Sequence, residues 1–142
     1  MNKFKIRNQM RIVLFVLIFF NVSMNWFSKD INKDWTSLSE PEQLSGLIME
    51  SSSIPVIIYK HSSRCGLSTM TENKLEEGWD LLKPKVKLYF LDLISNREVS
   101  NSVAERFNVR HQSPQILIIK NGICVYNSSH YEINVETILK NI

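Results

Sequence analysis

Two short β-branched runs with one helical segment between them constrain this chain more than any other feature. Pro55-Val56-Ile57-Ile58-Tyr59 and Val86-Lys87-Leu88-Tyr89-Phe90-Leu91-Asp92-Leu93 read as buried strands. Between them Leu67, Met70, Leu75, Trp79 and Leu82 recur near helical spacing, and Pro84 stops the helix. A strand–helix–strand unit of this length is a right-handed crossover, so the two strands lie parallel in one sheet. The polar loop Lys60-His61-Ser62-Ser63-Arg64 leaves the first strand and delivers Cys65 to the helix start.

That placement matters for the thiol. Unpaired backbone N–H groups and the helix dipole favour a thiolate over a thiol at a helix N-terminus. Arg64 beside Cys65, and His61 four residues earlier, can add positive charge. A free thiol titrates near ~8.5, and such surroundings lower it to roughly 3.5–7.5. The competing interpretation is a buried structural cysteine, as most lone cysteines are. Cys124, in a later apolar run, reads as that kind of core residue. Two cysteines and three histidines at no metal-site spacing argue against a structural zinc.

The remaining elements complete one sheet. Ser39-Glu40-Pro41-Glu42 reads as a capping box with Pro41 in the first turn, opening a helix that buries Leu44, Leu47 and Ile48. Arg97 to Phe107 reads as a helix with Val99, Val103 and Phe107 four apart. Gln115 to Ile119 is a third strand, Asn121-Gly122 a type I′ hairpin signal, and Ile123 to Tyr126 the antiparallel return. Val135 to Asn141 is a closing helix. Pro114 stands directly before the third strand, where it is either a cis bond or a trans proline that begins the strand. The fold class is therefore α/β, a mixed central sheet flanked by helices over residues 38–142. Residues 24–37 form a linker or edge strand.

Residues 1–23 form a basic and hydrophobic leader, with nine unbroken apolar residues from Ile12 to Phe20. It has the n-region and h-region of a signal peptide without a convincing cleavage site, and it is short of the ~20 apolar residues of a membrane span. Met24 offers an alternative start. The expectation is a cytoplasmic domain, with membrane contact only if the leader is translated and retained; a membrane-anchored or exported protein is the alternative. Composition enters here. The net charge of +3 is misleading, because removing Lys3, Lys5, Arg7 and Arg11 from the 17 basic residues leaves 13 against 14 acidic ones. No basic face remains for nucleic acid.

A cysteine opening the helix after the first central strand, with an X-Pro before a β-hairpin, resembles the thioredoxin fold. The chain is most similar to the monothiol bacilliredoxin family. Four stretches carry the resemblance: Lys60-His61-Ser62-Ser63-Arg64-Cys65-Gly66-Leu67-Ser68, Leu91-Asp92-Leu93, His111-Gln112-Ser113-Pro114-Gln115, and Asn121-Gly122 with Ser129-His130. It implies removal of bacillithiol from protein mixed disulfides by Cys65, with no bound cofactor and bacillithiol as the thiol co-substrate. It makes bacillithiolated proteins the partners. It also implies that Arg64 and His61 stabilise the thiolate and that His111, Ser113 and Pro114 bind substrate beside it.

The site departs from the family's Cys-Pro-Ile-Ser or Cys-Ser-Ile-Ser in reading Cys65-Gly66-Leu67-Ser68. Gly66 disfavours helix by about 1 kcal/mol relative to alanine. Ser68 takes the place of a thioredoxin's second, resolving cysteine, so exchange through one thiol follows. Two other functions fit parts of the pattern. Cys-Gly-x-Ser is similar to the Cys-Gly-Phe-Ser of iron–sulfur-carrying glutaredoxins, although the glycine pair those proteins carry after the hairpin is missing. A non-catalytic thioredoxin-fold module whose Cys65 is modified by oxidants is the other.

Overall fold

The structure, a computed structural model, describes residues 34–142. The leader at 1–23 and residues 24–33 of the adjoining segment lie outside them. Five strands form one mixed sheet in the order β1-β3-β2-β4-β5: β1 (Thr36–Ser37), β2 (Val56–His61), β3 (Lys87–Asp92), β4 (Gln115–Lys120) and β5 (Ile123–Ser129). β1 and β2 both run parallel to β3, while β4 is antiparallel to β2 and to β5. The crossover from β2 to β3 carries α2 (Gly66–Glu77) and the short α3 (Trp79–Leu82). The other helices are α1 (Gln43–Glu50), α4 (Arg97–Arg106) and α5 (Val135–Asn141), with a 3-10 turn at His130–Glu132. No helix among the described residues is long and apolar enough to cross a membrane.

Strand alternation divides the core into two halves. Val56 and Ile58 of β2 join Leu117 and Ile119 of β4 against Leu44 and Leu47 of α1 and Val99 and Val103 of α4. Ile57 and Tyr59 point the other way, joining Ile116 and Ile118 against Leu75, Trp79, Leu82 and Ile138. A strand buried on both faces should read as a continuous apolar run, and all six residues of β2 are buried. Two of the six are Lys60 and His61. The polar residues expected to begin the loop thus belong to the strand.

Three other expectations change at the level of side chains. The capping box is not made by Ser39 and Glu42. Gln43 Oε1 instead accepts from the N–H groups of Ser39 (2.8 Å) and Glu40 (2.9 Å), and its amide donates to Ser37 O at 2.9 Å. Helix α2 buries Ser68, Thr71 and Leu75 rather than Met70, which is exposed. β5 continues past Tyr126 to Ser129, still paired with β4.

At the hairpin, Asn121 (φ 51°) and Gly122 (φ 74°) both adopt the left-handed conformation that a type I′ turn requires. Buried Ser51, capping α1, fastens this turn: its carbonyl accepts from Asn121 N and its hydroxyl oxygen from Gly122 N, each at 2.8 Å. Gly78 separates α2 from α3 for a steric reason. A Cβ there would lie 2.4 Å and 2.9 Å from the two methyl groups of Val135 on α5. Valine is stiff about χ1 and cannot swing aside. Gly78→Ala is therefore expected to cost about 1–3 kcal/mol by overpacking. Chemical denaturation should show that cost largely removed in Gly78→Ala/Val135→Ala relative to Val135→Ala. An equal cost in both backgrounds would place the strain elsewhere.

Candidate functional site

Cys65 is the N-cap of α2, in extended backbone (φ −117°, ψ 113°), immediately before the first helical residue Gly66. Its N–H donates to Ser62 O and its carbonyl accepts from Ser68 N, both at 3.0 Å. The half-buried thiol faces the open first turn of the helix. Hydrogen bonding from the Ser68 backbone N–H, then from that of Leu67, with a smaller contribution from the Ser68 hydroxyl, holds its pKa below the ordinary cysteine value, against an opposing effect of burial. The backbone N–H groups of the helix start thus lower the thiol's pKa. Arg64 is exposed, and neither it nor His61 is among the groups that lower the thiol.

His61 instead ends β2 on the Tyr59 face. Its ring lies against Phe90 (centroids 5.2 Å apart) and Tyr59 (6.0 Å). Its Nδ1 stands 3.4 Å from Glu72 Oε2, an ion-pair distance rather than a hydrogen bond. Ser68, at the vacated resolving position, is fully buried and structural. Its hydroxyl accepts from Ser62 N at 3.2 Å, and its carbonyl accepts from the Tyr59 hydroxyl at 2.7 Å. Burial, reinforced by the charges of Glu72 and Cys65, pushes the Tyr59 phenol far above its usual range. Tyr59 is therefore a permanent donor beneath the site and no proton acceptor.

The register of β2 against β4 pairs Lys60 with Gln115, which brings the loop before β4 to the same end of the sheet as Cys65. The Ser113–Pro114 peptide is cis, and Pro114 is buried, its carbonyl accepting from His130 N at 3.0 Å. Gln115 organises the loop from below: its Nε2 donates to Arg110 O (3.0 Å) and its Oε1 accepts from Gln112 N (3.2 Å). Ser129 on β5 donates to the Gln112 side chain. The Ser113 hydroxyl is buried without a hydrogen-bond partner among the described residues.

His111 is tied inward rather than free. Its Nδ1 lies 2.8 Å from Lys60 Nζ and 3.3 Å from the Ser100 hydroxyl on α4. Lys60 itself is fully buried and also donates to Ser100 O at 3.3 Å. Sequence reading missed Lys60, Tyr59 and Ser100. The available signal was the period-2 row Val56–Ile58–Lys60, which places Lys60 on an apolar face.

The described residues contain no cluster of three or more side chains suited to a metal. A thiol of lowered pKa at a helix start, at the same end of the sheet as a cis-proline loop, is suited to thiol exchange. Alkylation of Cys65 followed against pH is expected to show a midpoint below the ordinary ~8.5. Cys124, whose thiol burial raises, should not react in the folded protein. A Cys65 midpoint at or above ~8.5 would contradict the helix-start account.

A family model described as Monothiol bacilliredoxin BrxC matches residues 36–138. Among solved structures, the chain is similar to a thioredoxin-fold protein described as a candidate oxidoreductase. The two are 28% identical with a TM-score of 0.68, and the match covers 78% of this chain and 96% of that one. It is also similar to a thioredoxin of Fasciola hepatica, at 24% identity and a TM-score of 0.58 over 74% of this chain and 92% of that one. A thioredoxin of Trypanosoma brucei brucei matches at 19% identity and a TM-score of 0.57, over 68% and 78% of the two chains. The last two likenesses concern the fold alone.

Proposed function

The chain belongs to the monothiol bacilliredoxin family, and from this premise we propose that it removes bacillithiol from protein mixed disulfides through Cys65. Family and fold together support a thiol oxidoreductase. The observation that carries the finer reading is the pairing of a thiolate-favouring N-cap at Cys65 with a buried serine at position 68. One thiol is poised to attack, and no second thiol follows it on the helix.

In the proposed reaction the Cys65 thiolate attacks the bacillithiol sulfur of the mixed disulfide. A new sulfur–sulfur bond forms to Cys65 as the old one breaks, and the protein thiolate leaves and takes a proton from water. A second thiol, free bacillithiol, then attacks the Cys65-bound adduct. It restores the Cys65 thiolate and departs as bacillithiol disulfide, so that electrons balance over the two steps. The loop of Ser113 and Pro114 supports the substrate from the Cys65 end of the sheet, with the Ser113 hydroxyl turned inward and without a hydrogen-bond partner among the described residues. Such a cycle belongs in the cytoplasm, where a reduced thiol pool regenerates the site.

Mass spectrometry after incubation with a bacillithiolated protein tests the reading. One bacillithiol is expected on Cys65 and none on Cys124, with release of one protein thiol per adduct. Equal transfer from a glutathionylated protein, followed by equal recovery with glutathione alone, would count against bacillithiol as the co-substrate.

A further inference from the structure

Lys60 is the one lysine or arginine among the described residues whose side chain is fully buried, and it has no carboxylate partner there. Its ammonium is spent on two acceptors, Ser100 O at 3.3 Å and His111 Nδ1 at 2.8 Å. Burial lowers its pKa to about 8, which still leaves it mainly protonated at neutral pH. An ammonium can only donate. The contact at 2.8 Å therefore requires a bare Nδ1 on His111, and the imidazole proton must sit on Nε2. The imidazole is neutral, since burial, then Lys60, then Arg97 hold its pKa below the usual histidine value. His111 is exposed, and its Nε2 has no partner among the described residues. It stands three residues before Pro114, on the loop that Gln115 braces.

We propose that Lys60 is a positioning residue that fixes His111 as its Nε2–H tautomer, so that the loop before Pro114 presents a hydrogen-bond donor to an acceptor oxygen of the docked mixed disulfide. The proposal rests on the exchange reaction above for its substrate, but the device itself is visible without it. The acceptor oxygen lies either on the protein side of the disulfide or on the bacillithiol side. Lys60 touches neither, and acts only through His111.

The test uses the full chain and three variants. Lys60→Met keeps the length of the side chain without the charge, and suits an apolar face. His111→Asn offers an oxygen where Nδ1 stood, but nothing at Nε2. His111→Gln places an amide N–H near the Nε2 position. Nitrogen NMR of histidine-labelled protein should show a protonated Nε2 and bare Nδ1 on His111 in the wild type, and a mixture of tautomers in Lys60→Met. With bacillithiolated protein, Lys60→Met and His111→Asn should raise KM about three- to tenfold, the size of one lost hydrogen bond, at unchanged kcat. His111→Gln should recover most of that loss. The midpoint of Cys65 alkylation should not move in any of them.

Repeating the series with the same protein carrying mercaptoethanol in place of bacillithiol locates the acceptor. A KM effect that persists puts the oxygen on the protein side, and one that vanishes puts it on the bacillithiol side. An Nδ1–H tautomer in the wild type, a tautomer unchanged in Lys60→Met, or an unchanged KM in folded Lys60→Met would each overturn the proposal. So would a fall in kcat accompanied by a shifted alkylation midpoint. If the wild type ignores bacillithiolated protein altogether, the reaction assigned above fails, and the tautomer measurement still decides whether Lys60 governs His111.

Discussion

Cys65→Ser is expected to reduce release of protein thiol from a bacillithiolated substrate to the uncatalysed background, whereas Cys124→Ser should leave it unchanged. The difference lies in the surroundings of the two sulfurs. Two backbone N–H groups and, less, a hydroxyl at the helix start hold the Cys65 pKa below the ordinary cysteine value. A serine hydroxyl there would stay protonated, and a neutral hydroxyl does not displace a disulfide sulfur. Cys124 packs against the α1 side of the core and donates its S–H to Tyr126 O at 3.3 Å. Burial raises its pKa, so it remains a thiol. The assay is the appearance of free protein thiol with time. Residual catalysis in Cys65→Ser that disappears in the double variant would make Cys124 a participant and would sink the one-sulfur mechanism.

Ser68→Cys should change the product rather than the rate of the first step. The Ser68 side chain, one helical turn beyond Cys65, contributes to lowering its pKa, so a thiol at position 68 is expected to meet the adduct formed there. Attack by that thiol on the Cys65 sulfur would expel bacillithiol and leave an internal disulfide two hydrogens lighter. The adduct seen in the wild type should therefore give way to that species in the mass spectrum. Its formation should quicken as pH rises, because position 68 is fully buried and burial holds a thiol in its protonated form. Tyr59, which donates to the carbonyl of residue 68 and whose phenol is pushed to very high pKa, provides no base to help. The substitution also weakens the acceptor used by Ser62 N, at a cost of about 0.5–1.5 kcal/mol. A long-lived bacillithiol adduct in folded Ser68→Cys would show that the two positions do not meet during exchange.

Much of this site was legible before any coordinates. The β-branched runs, the helical spacing between them and the Asn121–Gly122 turn indicate the parallel β2–β3 pair and the antiparallel β4–β5 hairpin, because each rests on local chemistry, whereas the pairing of β4 with β2 does not. Cys65 was readable as a helix start for the same reason. What escaped was whatever depended on partners distant in sequence. Lys60 is buried because Ser100 and His111, 40 and 51 residues away, receive its protons. No window around Lys60 contains that information, and a lysine followed by histidine and serine looks like a loop. At Cys65 the helix-start N–H groups indicated by sequence position are the leading causes of the lowered pKa, and the neighbouring Arg64 is not among the causes. Gln43 replaced the expected capping pair because one amide oxygen there accepts from two N–H groups at once.

The Ser51 fastening carries a consequence for a place it never touches. Strand β4 runs six residues from the hairpin turn back to Pro114, a span of roughly 20 Å. The turn is pinned to the end of α1 by two hydrogen bonds, and β4 is stiffened by pairing on both sides. The loop at the Cys65 end is thus carried on a beam held at its far end by Ser51 and at its near end by Gln115 and His130. Ser51→Ala removes one of the two bolts, the hydroxyl's hold on Gly122, so a lesion there would surface as a blurred fit at the mouth of the site before it registered as lost stability.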